Sequence, residues 1–169
     1  MTDVETRFLI GVQRTTAHPA TLRPARALSH AGEHAAAWLA TAAVGAVVAP
    51  AGRRGDWVRA GTAVLAAHAL SVVVKRVARR IRPVHEDLVS HVAVPSRWSF
   101  PSSHATSTTT AAVVFAPLLG RWTFLLPPLM GWSRMALGVH YPTDVLTGAA
   151  MGAAVGLASE RQRKGASAR

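Results

Sequence analysis

The feature that most constrains this chain is a set of long apolar stretches with almost no charge. Residues 35–50 contain no charged side chain, and residues 57–74 contain only Arg59, near their start. Because apolar residues lie on every side of these stretches, neither has the polar face that a surface helix of a soluble protein needs. Both stretches therefore predict short helices that cross a membrane.

Three more apolar stretches follow, near residues 105–120, 122–137 and 145–157. The last has glycine at every fourth position, a spacing that lets membrane helices approach closely: Gly148, Gly152 and Gly156. Several stretches are shorter than the roughly 20 residues that cross a bilayer core, so buried helices of a soluble all-α domain are an alternative. We predict an all-α, integral-membrane bundle of about five transmembrane helices.

The composition favours a membrane surface over nucleic acid as the partner. The 169 residues suffice for one domain, 50% of them are hydrophobic, and the formal net charge is +11. The absence of cysteine excludes disulfides, thiol chemistry and Cys-ligated metals. We predict a single membrane domain, with an N-terminal amphipathic segment over residues 1–30, a helical core over 35–158 and a basic tail over 159–169.

Basic residues are concentrated at the end of the second apolar stretch, from Lys75 to Arg82. If the helix continues to Pro83, residues 75, 79 and 82 share one of its faces. Taken alone, this cluster is typical of a juxtamembrane surface that holds lipid headgroups.

The sequence Phe-Pro-Ser-Ser-His at residues 100–104 directly precedes the third apolar stretch. Serine is a natural N-cap there, and the free N–H groups of a helix start bind phosphate. An ordinary cap beside a surface histidine has the same pattern.

A third polar segment begins at Arg134 and continues to His140 and Asp144. Pro142 suits the first position of a helix, which would bring Asp144 within reach of His140. A carboxylate on one ring nitrogen orients imidazole and leaves the other nitrogen free to attack, although a lone histidine near a membrane is usually structural. Arg134 lies near the end of an apolar stretch, where an unpaired charge is costly, so it indicates a polar site.

Read in order, the three segments are Lys-x6-Arg-Pro, Pro-Ser-x-His and Ser-Arg-x5-His-x3-Asp. This arrangement resembles the type-2 phosphatidic acid phosphatase family, also called lipid phosphate phosphatases. The matching residues are Lys75, Arg82, Pro83, Pro101, Ser102, His104, Ser133, Arg134, His140 and Asp144. Ser103 stands where the family usually has glycine; it keeps the backbone N–H, so we expect activity to survive.

The resemblance implies metal-independent hydrolysis of a lipid phosphate monoester through a phosphohistidine, without a cofactor. His140 would attack phosphorus, Asp144 would orient it, and His104 would protonate the leaving alkoxide and later activate water. The phosphoryl oxygens would be held by Lys75, Arg82, Ser102, Ser103 and Arg134.

The short chain, rich in Ala and Arg, resembles the actinobacterial members of this family. That resemblance implies decaprenylphosphoryl-5-phosphoribose, a precursor of cell-wall arabinan, as the substrate. Undecaprenyl pyrophosphate, phosphatidylglycerophosphate and phosphatidic acid are alternative substrates. The related vanadium haloperoxidases share the anion cradle, which makes oxidation a second possible chemistry, and a non-catalytic lipid-binding membrane protein is the alternative from a different class.

The expected partners are the lipid bilayer and a lipid phosphate, with no nucleic acid, in a multi-pass protein of the cell membrane. The glycine spacing also allows association with a second copy of the chain. The loop over residues 84–99 would lie above the site and help to choose the substrate; it has no established metal-ligand spacing. In this arrangement arginines lie on both sides of the membrane in similar numbers, so the positive-inside rule does not decide which side the site faces.

Overall fold

The computed structural model describes residues 3–167, and within them it contains helices and loops but no strand. The prediction of an all-α fold is confirmed. The seven α-helices are α1 (Val4–Thr16), α2 (Pro19–Gly32), α3 (Ala36–Val48), α4 (Ala51–Ala78), α5 (Ser103–Leu119), α6 (Leu126–Ala136) and α7 (Pro142–Ser167). Two short 3-10 helices, Glu33–Ala35 and Arg121–Leu125, connect α2 to α3 and α5 to α6.

Helix α5 lies at the centre of the bundle and packs against α4, α6 and α7. Ten of its 17 residues are buried, several of them threonines. Thr106 Oγ1 donates to the carbonyl of Ser102 at 3.0 Å, and Thr110 Oγ1 donates to the carbonyl of Thr106 at 3.0 Å. This back-bonding within the helix allows a threonine-rich segment to be buried.

The glycines of α7 face α5. A Cβ atom on Gly148 would lie 2.6 Å from the carbonyl oxygen of Ser102, and one on Gly152 would lie 2.3 Å from the carbonyl oxygen of Thr106. A Cβ atom on Gly156 would lie 2.8 Å from the Cβ atom of Val113. The small-residue spacing therefore serves contact within the chain and gives no support to association with a second copy. It brings the first turns of α5 and α7 together.

Two segments are long and apolar enough to cross a membrane by length and composition, residues 19–48 and 51–78. The first is bent at His34 and Ala35, whose φ angles are 50° and 59°. Helices α3 to α7 correspond to the five predicted apolar stretches, while the count of five membrane spans stays a prediction.

The N-terminal segment forms two helices that pack against the rest of the molecule. Asp3 caps α1 by accepting a hydrogen bond from the backbone N–H of Thr6 at 2.8 Å. Leu9 on α1 and Ala25 on α2 have no exposed surface, and both helices contact α6. The segment therefore has a buried side in addition to the surface that the sequence predicts for it. It covers the end of the bundle that carries the motif residues.

Helix α4 ends earlier than the sequence predicts. The helix stops before Arg79, which adopts a left-handed conformation with a φ of 50°. The chain from Arg80 to Arg82 then runs beside residues 97–99 and exchanges backbone hydrogen bonds with them. Side chains two residues apart in an extended chain point the same way, so Arg80 and Arg82 reach the site together. The predicted helical face that joins residues 79 and 82 to Lys75 is wrong.

Candidate active site

The three polar segments meet at one end of the bundle, where α4 ends and α5 and α7 begin. They surround a cavity of about 530 Å³. The predicted site residues that line it are Lys75, Arg82, Ser103, His104 and His140. The others, Ser102, Arg134 and Asp144, are buried close to it. The structure thus brings all eight predicted residues into one region.

His140 is held between a carboxylate and a guanidinium. Its Nδ1 lies 3.6 Å from Asp144 Oδ2, and its Nε2 lies 3.2 Å from Arg82 Nη1. Among the described residues, Nδ1 has no closer hydrogen-bond partner. The carboxylate favours the tautomer with the proton on Nδ1. The lone pair of Nε2 then points at the guanidinium of Arg82. This geometry is compatible with the nucleophile role predicted for His140.

The surroundings of His140 keep it neutral. The side chain is 1% exposed, and burial is the largest cause that holds the pKa of His140 well below its ordinary value. The positive charges of Arg134, Arg82 and Lys75 act in the same direction. A neutral imidazole keeps the lone pair that an attack on phosphorus requires.

Asp144 is fixed from two sides. Its Oδ2 accepts the backbone N–H of Tyr141 at 2.8 Å, and its Oδ1 accepts Arg80 Nη1 at 3.1 Å. The guanidinium of Arg80 also lies 4.1 Å from the centre of the Tyr141 ring. Arg80 thus holds the carboxylate that faces His140. Sequence reasoning missed this contact because it placed Arg79 on the cationic face.

Glu5 on α1 completes this network. It pairs with Arg80 Nη2, and its Oε1 accepts both the backbone N–H of Thr143 at 3.0 Å and the Thr143 hydroxyl at 2.7 Å. Burial opposes ionisation of Glu5, but the hydrogen bonds from Thr143 and Arg80 outweigh it and lower the pKa of Glu5. No local pattern predicts this contact, since Glu5 and Arg80 are 75 residues apart.

Two cavity cations are anchored by backbone carbonyls. Lys75 Nζ donates to the carbonyl of Ser99 at 3.0 Å, and Arg82 Nε donates to that of Ser96 at 2.7 Å. Arg82 Nη1 also donates to the carbonyl of Val139 at 2.6 Å. Burial lowers the pKa of Arg82 to about 10, so its guanidinium is charged at neutral pH. These side chains are therefore positioned before any anion binds.

Arg134 and its neighbour are held by α2. Arg134 is 2% exposed and its Nη1 donates to Ser29 Oγ, while Ser133 Oγ donates to the carbonyl of Ala25 at 2.8 Å. Arg134 Nε is buried without a hydrogen-bond partner among the described residues. An anion in the cavity is the natural partner for this group.

His104 rests on the same helix. Its Nε2 lies 3.0 Å from the carbonyl of Ser29, which requires the proton on Nε2 and leaves Nδ1 as the nitrogen that can exchange protons. A Cβ atom on Gly32 would lie 2.8 Å from the ring, so only glycine fits beside it. His104 and Arg134 are thus both held by hydrogen bonds to Ser29 of α2.

The two serines before His104 differ in position. Ser102 has no exposed surface, and its Oγ accepts the backbone N–H of Ala105 at 3.4 Å as the N-cap of α5. Ser103 and His104 line the cavity. Their backbone N–H groups belong to the first turn of the helix, where N–H groups have no partner within the helix.

The predicted substrate loop is divided in the structure. His85 and Asp87 line a separate cavity with α1, where Asp87 lies 3.8 Å from Arg14. From the other half of the loop, Pro95, Ser96 and Trp98 line the active-site cavity instead. In the part of the chain that the structure describes, no group of three histidines or carboxylates could hold a metal ion.

Residues 56–166 match the PAP2 superfamily. The decaprenylphosphoryl-5-phosphoribose phosphatase of Mycolicibacterium smegmatis is 54% identical over 146 residues, which cover 85% of this chain and 81% of that protein. The protein of the same name from Mycobacterium tuberculosis is 47% identical over 158 residues, 90% of this chain and 86% of that protein.

Two crystal structures have a similar fold. Aquifex aeolicus LpxE superposes with a TM-score of 0.77 at 21% identity and covers 95% of this chain and 96% of its own. A transmembrane PAP2-type phosphatidylglycerolphosphate phosphatase from Bacillus subtilis superposes with a TM-score of 0.75 at 19% identity, over 96% of this chain and 88% of that one.

Proposed function

The chain belongs to the PAP2 superfamily, and from that premise we propose that it removes the terminal phosphate of decaprenylphosphoryl-5-phosphoribose to give decaprenylphosphoryl-ribose. The single observation that carries the substrate is the 54% identity to the M. smegmatis phosphatase over 85% of this chain. The cavity at the end of an apolar bundle agrees with a lipid-linked phosphate monoester, because its lining combines cations with Val72 of the candidate span α4.

The phosphoryl group would be bound by Lys75, Arg82 and Arg134, together with the first-turn N–H groups of α5. Support comes from the protein oxygens that already hold Lys75 Nζ, Arg82 Nε and Arg134 Nη1, which leaves little reorganisation when the anion arrives. Arg82 Nη1, which now donates to His140 Nε2, would turn to a phosphoryl oxygen and free that nitrogen. Fixed cations can neutralise the transferring group in the way that metal ions do in other phosphatases.

The reaction would proceed in two displacements. His140 Nε2 attacks phosphorus and the bond from phosphorus to the ribose oxygen breaks. His104, which starts with protons on both ring nitrogens, gives the proton on Nδ1 to the departing alkoxide and keeps the one that bonds Ser29. His104 then takes a proton from water, the oxygen attacks phosphorus, and the bond to Nε2 breaks. Inorganic phosphate and neutral His140 result, with Asp144 facing the Nδ1 proton throughout.

The test is an assay of the purified protein in detergent against a panel of lipid phosphates. Decaprenylphosphoryl-5-phosphoribose should release phosphate faster than undecaprenyl pyrophosphate, phosphatidylglycerophosphate or phosphatidic acid. His140→Ala is the control, since losing a nucleophile that acts together with its base removes several orders of magnitude of kcat. Faster release from one of the other lipids, or undiminished release by His140→Ala, would contradict the proposal.

We also propose that the protein crosses the cell membrane several times, with α3 to α7 running in alternating directions. In this arrangement the segment 79–102 and the turn before α7 lie on one side, and the C-terminal end of α7 lies on the other. Association with a second copy stays a prediction, and analytical ultracentrifugation in detergent would measure it.

A further inference from the structure

The active-site cavity has more room than a phosphate group needs. Its volume of about 530 Å³ falls in the range of roughly 300–1,000 Å³ typical of pockets that enclose whole small molecules. The proposed cradle uses Lys75, Arg82 and His140 from this lining. A further part of the lining comes from the bend between α2 and α3 and from the middle of α4, and the proposed chemistry uses none of it.

Three polar side chains lie in this further part: Glu33, His34 and His68. The rings of His34 and His68 are 6.2 Å apart between centroids. His34 has a φ of 50°, a conformation that non-glycine residues rarely adopt and that clusters at ligand sites. The strained bend is what turns Glu33 and His34 into the cavity wall.

His68 is a polar side chain in an apolar helix, a position where it costs stability. It lies within α4, an apolar helix long enough to cross a membrane, and its Nδ1 is buried without a hydrogen-bond partner among the described residues. Polar side chains inside such helices usually mark a functional site, because an unsatisfied polar atom in an apolar environment is costly. A ligand hydroxyl in the cavity would satisfy this nitrogen.

Glu33 adds a negative charge to this part of the cavity lining. It is the one carboxylate among the described residues that line the cavity. Its only ion pair in the described chain is with the exposed His30 at 3.8 Å, and its side chain is 45% exposed, so it is free to meet a ligand. A carboxylate accepts hydrogen bonds from hydroxyl groups and repels a second phosphate. Imidazole can accept from or donate to the same hydroxyls.

We propose that Glu33, His34 and His68 form a hydroxyl-binding subsite that takes the sugar next to the transferred phosphate and disfavours a headgroup with a second phosphate at that place. The inference rests on the proposed function, because the terminal phosphate must occupy the cationic cradle. In the proposed substrate the sugar separates the two phosphates, whereas in a prenyl pyrophosphate they are adjacent.

The experiment compares three substrates of equal, short prenyl length: prenylphosphoryl-ribose 5-phosphate, its 2,3-dideoxy analogue and the prenyl pyrophosphate. With the wild type, removal of the hydroxyls should lower kcat/KM about tenfold or more, the scale of hydrogen bonds to a charged group. In Glu33→Ala and His68→Ala that ratio should fall toward one. Glu33→Gln keeps a hydrogen-bond acceptor but loses the charge, so it should gain activity on the pyrophosphate while still distinguishing the hydroxyls.

Leu70→Ala is the matched control, because Leu70 lies on the same helix as His68 but is exposed and outside the cavity lining; its ratios should equal those of the wild type. Binding of vanadate shows that the cradle of each variant is intact. The subsite would be excluded if the wild type had equal kcat/KM on the ribose substrate and its dideoxy analogue, or if the variants changed kcat/KM on both equally. Either result is compatible with the proposed phosphatase function. A wild type that hydrolyses only the pyrophosphate would overturn the proposed function itself.

Discussion

At the scale of single residues, the site depends on side chains that hold other side chains. Asp144 faces His140 at 3.6 Å, and Arg80 in turn binds Asp144 at 3.1 Å and pairs with Glu5. The orientation of the proposed nucleophile is therefore set two contacts away, on a loop and on the N-terminal helix. Loss of such a supporting contact typically lowers activity about 10- to 100-fold, as is known for the outer contacts of metal sites.

We predict that Arg80→Ala lowers kcat by about 10- to 100-fold with little change in KM, since Arg80 contacts Asp144 and not the cavity. Glu5→Gln should have a smaller effect in the same direction. Arg79→Ala is the control, because the exposed side chain of Arg79 donates, among the described residues, only to the carbonyl of Arg76 at 3.0 Å. Steady-state kinetics on all three variants would check this. Equal losses from Arg79→Ala and Arg80→Ala would show that general surface charge matters and that the contact with Asp144 does not.

We predict that the acid limb of the pH profile belongs to His140. Attack requires neutral imidazole, and burial with the nearby cations lowers the pKa of His140, so activity should be lost only as pH falls below the ordinary histidine value of about 6.5. We expect a bell-shaped profile of kcat/KM, since His104 must carry a proton. Nitrogen NMR of histidine-labelled, substrate-free protein would assign the titration, with His140→Ala identifying the signal. A His140 that titrates at or above pH 6.5 would contradict the prediction.

At the scale of helices, the contact between α5 and α7 places His104 and Asp144 in one site. Gly152→Ala puts a methyl group 2.3 Å from the carbonyl oxygen of Thr106 and must push the helices apart. We expect a loss of about 1–3 kcal/mol in the free energy of unfolding, with a parallel loss of activity. Gly165→Ala on the same helix meets nothing within 4 Å and should be neutral or stabilising. Thermal unfolding in detergent measures both, and equal melting temperatures would refute the close packing.

At the scale of the whole molecule, the five alternating spans that we propose would place the segment 79–102 and the end of α7 on opposite sides of the membrane. The chain has no cysteine, so single cysteines at the exposed positions Glu86 and Lys164 can be labelled without background. We expect an impermeant thiol reagent to reach Glu86→Cys in intact cells and Lys164→Cys only after permeabilisation. Labelling of both from the same side would exclude five spans, and the reverse pattern would place the site inside.

The charge of the whole cavity also predicts how activity responds to inhibitors. Activity should survive EDTA, because Lys75, Arg82 and Arg134 are protein groups that a chelator cannot remove. Vanadate should inhibit competitively by adopting the five-coordinate geometry of the transferring phosphoryl group at His140. Arg134→Lys should be strongly impaired, since it keeps the charge but loses the planar fork. Activity that disappears in EDTA, returns with Mg²⁺ and ignores vanadate would contradict the phosphohistidine mechanism.

The sequence alone determined those features of the protein that depend on residues close together in the chain. Apolar stretches predict helices, and a serine before a helix predicts a cap. Pro142 predicts a helix start that brings Asp144 within reach of His140. These features depend on residues a few positions apart, whose geometry the backbone dictates. The eight predicted site residues come from the family resemblance of three short segments, and the packing of α4, α5 and α7 brings those segments into one region.

Packing decided what those segments contact. Because α4 ends early, Arg80 and not Arg79 contacts Asp144. Glu5 and Arg80 are 75 positions apart, and Ser29 and Arg134 are 105 positions apart. The bend that carries Glu33 into the cavity exists because α2 must lie beside His104 while α3 continues along the bundle. Such contacts depend on how helices pack in three dimensions, and no pattern within a single helix encodes them.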